Sequence, residues 1–435
     1  MRSMKKILFL FFFIYLVGEV QSQQVLEFTL EDCIQYAETH NLTLKSAQLN
    51  RESSEITYRQ SKNAIAPTVS ASASQGYGYS HHPTNGGSSW NGSYGLNVNM
   101  SLFKGLSKYH AIQQSKLNLT YADLQIEHEK DYVKIEIIQA FLTVLMNQEL
   151  LAYQEEVAKT SEEQLKQGEI QYQVGKIMES DYLLLKAQYA SDQYTIENTK
   201  ITIANNLLTL KNLLALSHDY TLSVIKPVNA EASPLPQMPE MKEVLEQTLN
   251  YLPRLKMADA QLAAAEYDVK IAKSDYYPSL SMQAGVSTSY LNFTNPYGTQ
   301  LGENLGENVG IQLNIPIFNQ YATRSRVSQA KISLQQTEIQ KLQQELDVVR
   351  ELEQEYLKTK QYLNSYQVLE IQEKAYHASY MAYNEKFKAG VITTVELLQQ
   401  QTNYLNVLNE FLQTKYAFLL NRKVLDIYMG VPVKL

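Results

Sequence analysis

Seven histidines, one cysteine and 45 acidic residues are what this 435-residue chain could use for acid–base or metal chemistry. His40, His81, His82, His110, His128, His218 and His377 form no His-Glu-x-x-His motif. None of them stands three residues after a Glu, the spacing that sets a carboxylate and an imidazole on one helix face in a di-iron bundle. A phosphate loop and a Gly-x-Ser-x-Gly nucleophile turn are also missing from the sequence. His81-His82 could hold a metal ion, although two exposed polar residues in a turn explain the pair more simply. No catalytic residue, metal ligand or cofactor site is expected, and the chain reads as a non-enzyme. The single Cys33 has no internal disulfide partner and reads as a small apolar side chain near a helix start.

Lys5 and Lys6 precede the apolar run Ile7 to Val17, and Val20-Gln21-Ser22 offers small residues for cleavage. Residues 1–22 therefore read as a signal peptide, with a mature chain beginning near Gln23. Eleven apolar residues are too few for a spanning helix. No Cys follows the cleavage site to carry a lipid. Removing this segment takes away three positive charges and one negative, moving the net charge from −7 to −9. Such a balance argues against a nucleic-acid partner. Outside the signal no apolar run reaches 18 residues, so no helical membrane span is expected.

The elements available to position anything are long helices and four strands. Thr68 to Tyr79, Trp90 to Leu102, Leu280 to Tyr290 and Val309 to Ile317 alternate with a period of two. Leu96, Val98 and Leu313 fall on one face, and Ser70, Asn97 and Asn314 on the other. The polar face carries no charged side chain in any strand. A soluble sandwich is one reading. A membrane strand with an apolar outside and a watery lumen is the other, and the absence of Lys and Glu favours it. The strands form two hairpins, 68–102 and 279–318, with turns at Ser80 to Ser89 and Leu291 to Glu307. Four strands leave open edges that lipid does not satisfy, so the chain must oligomerise to finish a barrel wall.

Everything else reads as helix. Thr29 and Asp32 suggest a capping-box start for a first helix running to about Ala66, where Pro67 forces extension. Runs of 69 residues follow each hairpin, Lys104 to Tyr172 and Asn319 to Phe387, each roughly 100 Å long as a helix. The stripe Tyr362, Tyr366, Leu369, Glu373, Tyr376, Tyr380, Tyr383 and Phe387 has coiled-coil spacing. A packing seam fits it better than a ligand-stacking track. Lys226 to Met241, with Pro227, Pro234, Pro236 and Pro239, reads as a linker.

The plan occurs twice. An offset of 211 pairs Leu44 with Leu255 and Pro67 with Pro278. An offset of 215 pairs Phe103 with Phe318, Gly175 with Gly390 and Tyr189 with Tyr404. Four residues were thus inserted between Ala284 and Gly310. The organisation is a first repeat at 23–225, the linker at 226–241 and a second repeat at 242–435, two copies of one unit.

With Pro67 and Pro278 ending a helix, Pro316-Ile317-Phe318 leaving a strand, and Val174-Gly175 and Ala389-Gly390 at the tips, the chain resembles the TolC-like outer-membrane efflux family. The resemblance spans nearly all of residues 26–430. It implies a mainly α fold with a small β part: a homotrimer whose twelve strands close one barrel in outer-membrane lipid above a helical tunnel in the periplasm of a Gram-negative bacterium. It also implies a periplasmic adaptor and an inner-membrane pump as partners, in tripartite efflux or type I secretion.

By the same resemblance, Gly175, Gly390, Val174 and Ala389 form the tips that dock the adaptor. Ser180, Asp181, Phe387, Ile392, Glu396 and Gln399 line the aperture, and Pro67, Pro278, Phe103, Pro316 and Phe318 mark helix–strand transitions. Phe387 and Ile392 stand where close relatives place a Tyr and an Arg that hold the aperture shut by hydrogen bonds. Neither can donate such bonds, which points to apolar packing. Glu396 reads either as a cation-attracting ring or as a helix-start carboxylate. Gln399 replaces a second acidic ring, and Ser101 replaces the strand-exit Pro of the first half. The rival class is an exported coiled-coil scaffold or adhesin without transport.

Overall fold

The structure, a computed structural model, describes residues 24–81, 87–226, 237–291 and 297–432. The expected signal peptide, His82 and the linker prolines Pro227, Pro234 and Pro236 lie outside them. The chain divides into two compact units. One comprises Met1–Leu42, Asp131–Gln247 and Glu353–Leu435; the other comprises Thr43–Lys130 and Thr248–Leu352.

The helices repeat at the offset of 215. Helix α3 (Ser107–Gln173) and its copy α8 (Ala322–Lys388) each have 67 residues, while α4 (Glu179–Leu213) and α9 (Thr394–Tyr428) each have 35. The long helices start three residues later than the runs of 69 suggest. The reason is backbone: Gly105 and Leu106 take φ 54° and 63°, and their counterparts Gln320 and Tyr321 take 56° and 61°. Two successive left-handed residues turn the chain before it can enter a right-handed helix.

The single helix expected up to Ala66 is in fact two, α1 (Leu30–His40) and α2 (Leu42–Asn63). Asn41 leaves the helical region at ψ 133°, and its Nδ2 donates to the Leu213 carbonyl at 2.8 Å. The second copy breaks at the equivalent place, between α5 (Met241–Tyr251) and α6 (Pro253–Ser274). There Pro253, the counterpart of Leu42, supplies a break the sequence does announce.

In the first unit, a two-stranded parallel sheet joins β1 (Gln24–Phe28) to β4 (Tyr220–Val224). Neither strand was expected, because five-residue segments beside a long helix carry too few positions for a period to show. Thr29 and Asp32 do form the capping box that starts α1. Cys33 is fully buried behind it, and burial pushes its thiol up to about 12, leaving it protonated and inert. Helix α3 holds a stretch long and apolar enough to cross a membrane by length and composition alone, although polar residues such as Glu136 and Glu149 interrupt it. Ile137, Ile138, Phe141 and Val144 from that part of the helix are completely buried, so one face of it, 39% of the stretch, is packing surface.

The second unit holds the four-stranded antiparallel sheet, in the order β2 (Thr68–Ser80), β3 (Gly87–Lys104), β5 (Ser279–Leu291), β6 (Gly306–Asn314). Register carries the alternation across all four strands. Val69, Val98, Ala284 and Val309 line up in one row, and Ser70, Asn97, Gly285 and Asn308 in the next. An irregularity between Ser101 and Phe103 pairs Phe103, rather than Leu102, with Leu280. Phe103 thereby takes the apolar row at that end of the sheet. Strand β6 stops at Asn314, short of the expected Ile317, as Pro316 has no N–H to give the ladder. The inserted residues are not a plain turn: Tyr297–Glu303 forms helix α7, tied to the sheet by Thr288 Oγ1 donating to the Leu301 carbonyl at 2.7 Å.

Candidate functional site

Each tip is a helical hairpin closed by a glycine. Gly175 and Gly390 sit at φ 73° and 75°, where a side chain is strained, and nothing lies within 4 Å of a Cβ built on either. In the first tip Lys176 N–H reaches back to the Gln171 carbonyl at 2.7 Å, and in the second Val391 N–H reaches Lys386 at 2.9 Å. Both are Schellman closures, in which the left-handed glycine lets the next amide satisfy a carbonyl of the last turn. Val174, Ala389 and both glycines are exposed.

The helices that leave the tips start differently. Thr393 caps α9: its Oγ1 accepts from Glu396 N–H at 3.3 Å, while Glu396 Oε2 accepts from Thr393 N–H at 2.8 Å and from its hydroxyl at 3.0 Å. The bond from the Thr393 backbone, then that from its hydroxyl, holds the Glu396 carboxyl below the usual carboxylate range. The carboxylate is exposed and also favoured by the helix dipole. The Thr-x-x-Glu spacing was there to be read. In the first tip Met178 occupies the cap position of α4 with no side-chain bond. Ser180 is exposed and Asp181 half-buried, and Gln399 is exposed, donating to Asn403 Oδ1 at 3.0 Å.

Phe387 is 2% exposed, inside a cluster with Val157, Leu185, Tyr380, Leu397 and Tyr404; Ile392 packs on that cluster. The aromatic stripe is thus a packing seam at Leu369, Tyr380 and Phe387, but Tyr376 is exposed. Burial raises the phenols of Tyr380 and Tyr404, keeping both neutral.

Beside this cluster lies a buried polar network that sequence reading missed. Ser161 donates to Asp192 Oδ2 at 2.6 Å and Gln401 donates to the same oxygen at 3.0 Å, while Gln188 reaches Oδ1 at 2.8 Å. Gln164 donates to Asn384 at 2.9 Å and to Tyr380 at 3.3 Å. Together these bonds join α3, α4, α8 and α9. Polar residues at seam positions were visible in the sequence, but pairing between helices is not. Among the described residues no three His, Cys, Asp or Glu side chains gather as metal ligands.

At the other end of the long helices, Pro67 and Pro278 each directly precede a strand, β2 and β5. Phe103 is paired within β3, whereas Pro316 and Phe318 follow β6, and Phe318 is 73% exposed.

Two glycine-closed helical hairpins, one in each copy, with an alternating four-stranded sheet that carries charge only at Lys104 and Glu307 near strand ends, have a counterpart among known sequences. The family model described as outer membrane efflux protein matches residues 33–216 and 244–431, one segment for each copy. The chain belongs to the outer membrane efflux protein family. Solved structures share the fold. CusC superposes with a TM-score of 0.80 at 17% identity, over 93% of this chain and 92% of its own. The CmeC outer membrane channel of Campylobacter jejuni gives 0.76 at 18%, over 92% and 85%. VceC of Vibrio cholerae gives 0.73 at 15%, over 93% and 97%. No curated protein matches the chain closely enough to count as a relative. As an outer membrane efflux protein, the chain is placed in the outer membrane.

Proposed function

We propose that this efflux protein is the outer-membrane channel of a tripartite efflux or type I secretion system, working as a homotrimer. Three four-stranded sheets, one from each chain, close a twelve-stranded barrel in outer-membrane lipid. The helices of both repeats, 23–225 and 242–435 around the linker 226–241, form a periplasmic tunnel. A periplasmic adaptor docks at Val174-Gly175 and Ala389-Gly390 and hands substrate over from an inner-membrane pump. The aperture is formed by Ser180, Asp181, Ile392, Glu396 and Gln399, with Phe387 packed behind them in the buried cluster that Ile392 leans on.

The observation that carries this reading is the register of the sheet. Apart from Glu307 opposite Val286, apolar rows stay in line from β2 through β6, and among the described residues no strand pairs with β2 or β6 on their outer sides. An apolar face with unpaired edges is stable in lipid only when further strands complete the ring.

Light scattering of the detergent-purified protein, with cross-linking in cells to capture adaptor and pump, tests the assembly. A soluble monomer that captures neither would overturn it. The faces are tested separately: Leu96→Arg should cost roughly 2–4 kcal/mol per chain near the bilayer midplane and lower trimer yield, and Leu313→Arg, in the row of Phe103 toward the interface, should cost less. Asn97→Arg, on the lumen face, should assemble normally and change conductance. Equal assembly defects at both faces would show the lipid side to be misassigned.

A further inference from the structure

Where β3 ends and α3 begins, the second unit has a cleft of about 360 Å³ with two kinds of wall. Phe103, Leu106 and Tyr277 form an apolar side, and they are 42%, 58% and 59% exposed. Lys270 and Lys273 form a basic side, with His110 also in the lining. Its depth comes from the backbone: Gly105 lies so close to α6 that a Cβ there would stand 2.4 Å from the Ser274 carbonyl oxygen.

We propose that this cleft binds a phospholipid with an anionic headgroup, the phosphate at Lys270 and Lys273 and an acyl chain along Phe103, Leu106 and Tyr277. The inference rests on the outer-membrane placement of the sheet. Neither lysine has an acidic partner among the described residues; Lys270 lies over the Tyr267 ring at 4.2 Å. The nearby carboxylate of Asp275 is already engaged by Arg326 and by Lys104, at 3.9 Å from the latter. His110 Nδ1 is buried without a hydrogen-bond partner and lies out of reach of a group in the open cleft, so the two lysines supply the contacts to the phosphate. Burial, and then the charge of Lys270, lowers the His110 pKa; a bound anion opposes the second effect.

The apolar wall decides between a lipid and a free anion. Phe103 pairs with Leu280 and so continues the sheet's apolar row, the row that meets acyl chains in the channel reading. Tyr276, Tyr277, Phe318 and Tyr321 are all exposed at the same end of the sheet, as aromatic side chains are at a membrane interface. Inorganic phosphate would have no use for such a wall.

The test is native mass spectrometry of the full-length trimer titrated with phosphatidylglycerol or phosphatidylcholine of equal chain length, with inorganic phosphate as a competitor. The wild type should retain phosphatidylglycerol about 30-fold better, from two lysines each acting on a surface anion. Lys270→Gln with Lys273→Gln should remove that preference, and Lys270→Arg with Lys273→Arg should keep it. Equal retention of both lipids, or an unchanged preference in the glutamine variant, leaves the lysines as mere compensation of the α6 C-terminus and overturns the proposal. Displacement of phosphatidylglycerol by phosphate alone assigns the cleft to a free anion and overturns it too. Planar-bilayer conductance reports barrel formation independently, so loss of the channel reading itself would show there, and the glutamine variant should conduct as wild type.

Discussion

The two tips share a backbone and differ in where their side chains go. Tyr172 and Tyr182 of the first tip correspond to Phe387 and Leu397 of the second. The tyrosine rings stack in parallel at 5.6 Å with Tyr172 39% exposed, whereas Phe387 and Leu397 are 2% and 0% exposed within the main cluster. The first tip enters α4 through an uncapped Met178, the second enters α9 through a full capping box. One fold element, copied, has therefore become a loosely held tip and an anchored one. The Schellman glycine sets the turn, while burial and capping set how tightly the turn is held.

The largest test of that difference is truncation. Phe387→Ala should cost roughly 3–5 kcal/mol, because it removes a buried ring from a close-packed cluster. Tyr172→Ala, at an exposed stack, should stay within about 1 kcal/mol. Denaturant titration followed by far-ultraviolet circular dichroism compares them, and equal costs would erase the distinction between the tips.

Next come the glycines, where the tips should behave alike. Gly175→Leu and Gly390→Leu each force a branched side chain into left-handed backbone, at about 1–2 kcal/mol. Both variants should still form trimers and barrels but lose export in cells, as the new side chain sits on the exposed docking surface. Normal export by both would reject the tips as the adaptor contact.

Capping offers a smaller and reversible comparison. Thr393→Ala should lose about 1 kcal/mol and Met178→Thr, with Asp181 in place to complete a box, should gain about 0.5–1 kcal/mol. Thr29 with Asp32 already shows that an Asp serves this role in the same chain. A Met178→Thr protein that melts no higher than wild type would mean the first tip is held by something other than its helix start.

The smallest effect is electrostatic. The Glu396 carboxyl is lowered in the folded state, so its contribution is complete above the ordinary value near 4.5 and is lost as pH falls through the folded value. The melting gap between wild type and Glu396→Gln should therefore close on acidification, since the amide keeps the capping geometry without the charge. A gap that ignores pH would remove the charge from the account. Cation selectivity of the same variant in planar bilayers separates a tunnel ring from a capping residue.

Much of this was legible beforehand. Period-two alternation marked four strands, breaker-poor runs marked the long helices, and Gly175 and Gly390 stood at one offset in both copies, because each of those signals is local and repeated. The break at Asn41 was not legible, for an asparagine inside a helical run becomes a stop only when the Leu213 carbonyl is there to receive its side chain. Nor were β1 and β4, whose five residues each gain stability only by pairing across almost 200 positions of chain.

What the residues determined by themselves is the framework: two copies, their helix and strand periods, the glycines that must turn, and a strand face of Ser, Asn and Gly. Those follow from short-range sterics and from which side chains water accepts, and both act within a few residues. Tertiary structure alone decided which equivalents diverged. Phe387 became core and Tyr172 surface; Asp192 found Ser161, Gln188 and Gln401; and Lys270 and Lys273 came to face Phe103 across a cleft. Each outcome depends on which segments meet, and the free energy of burial or pairing belongs to the meeting rather than to either residue.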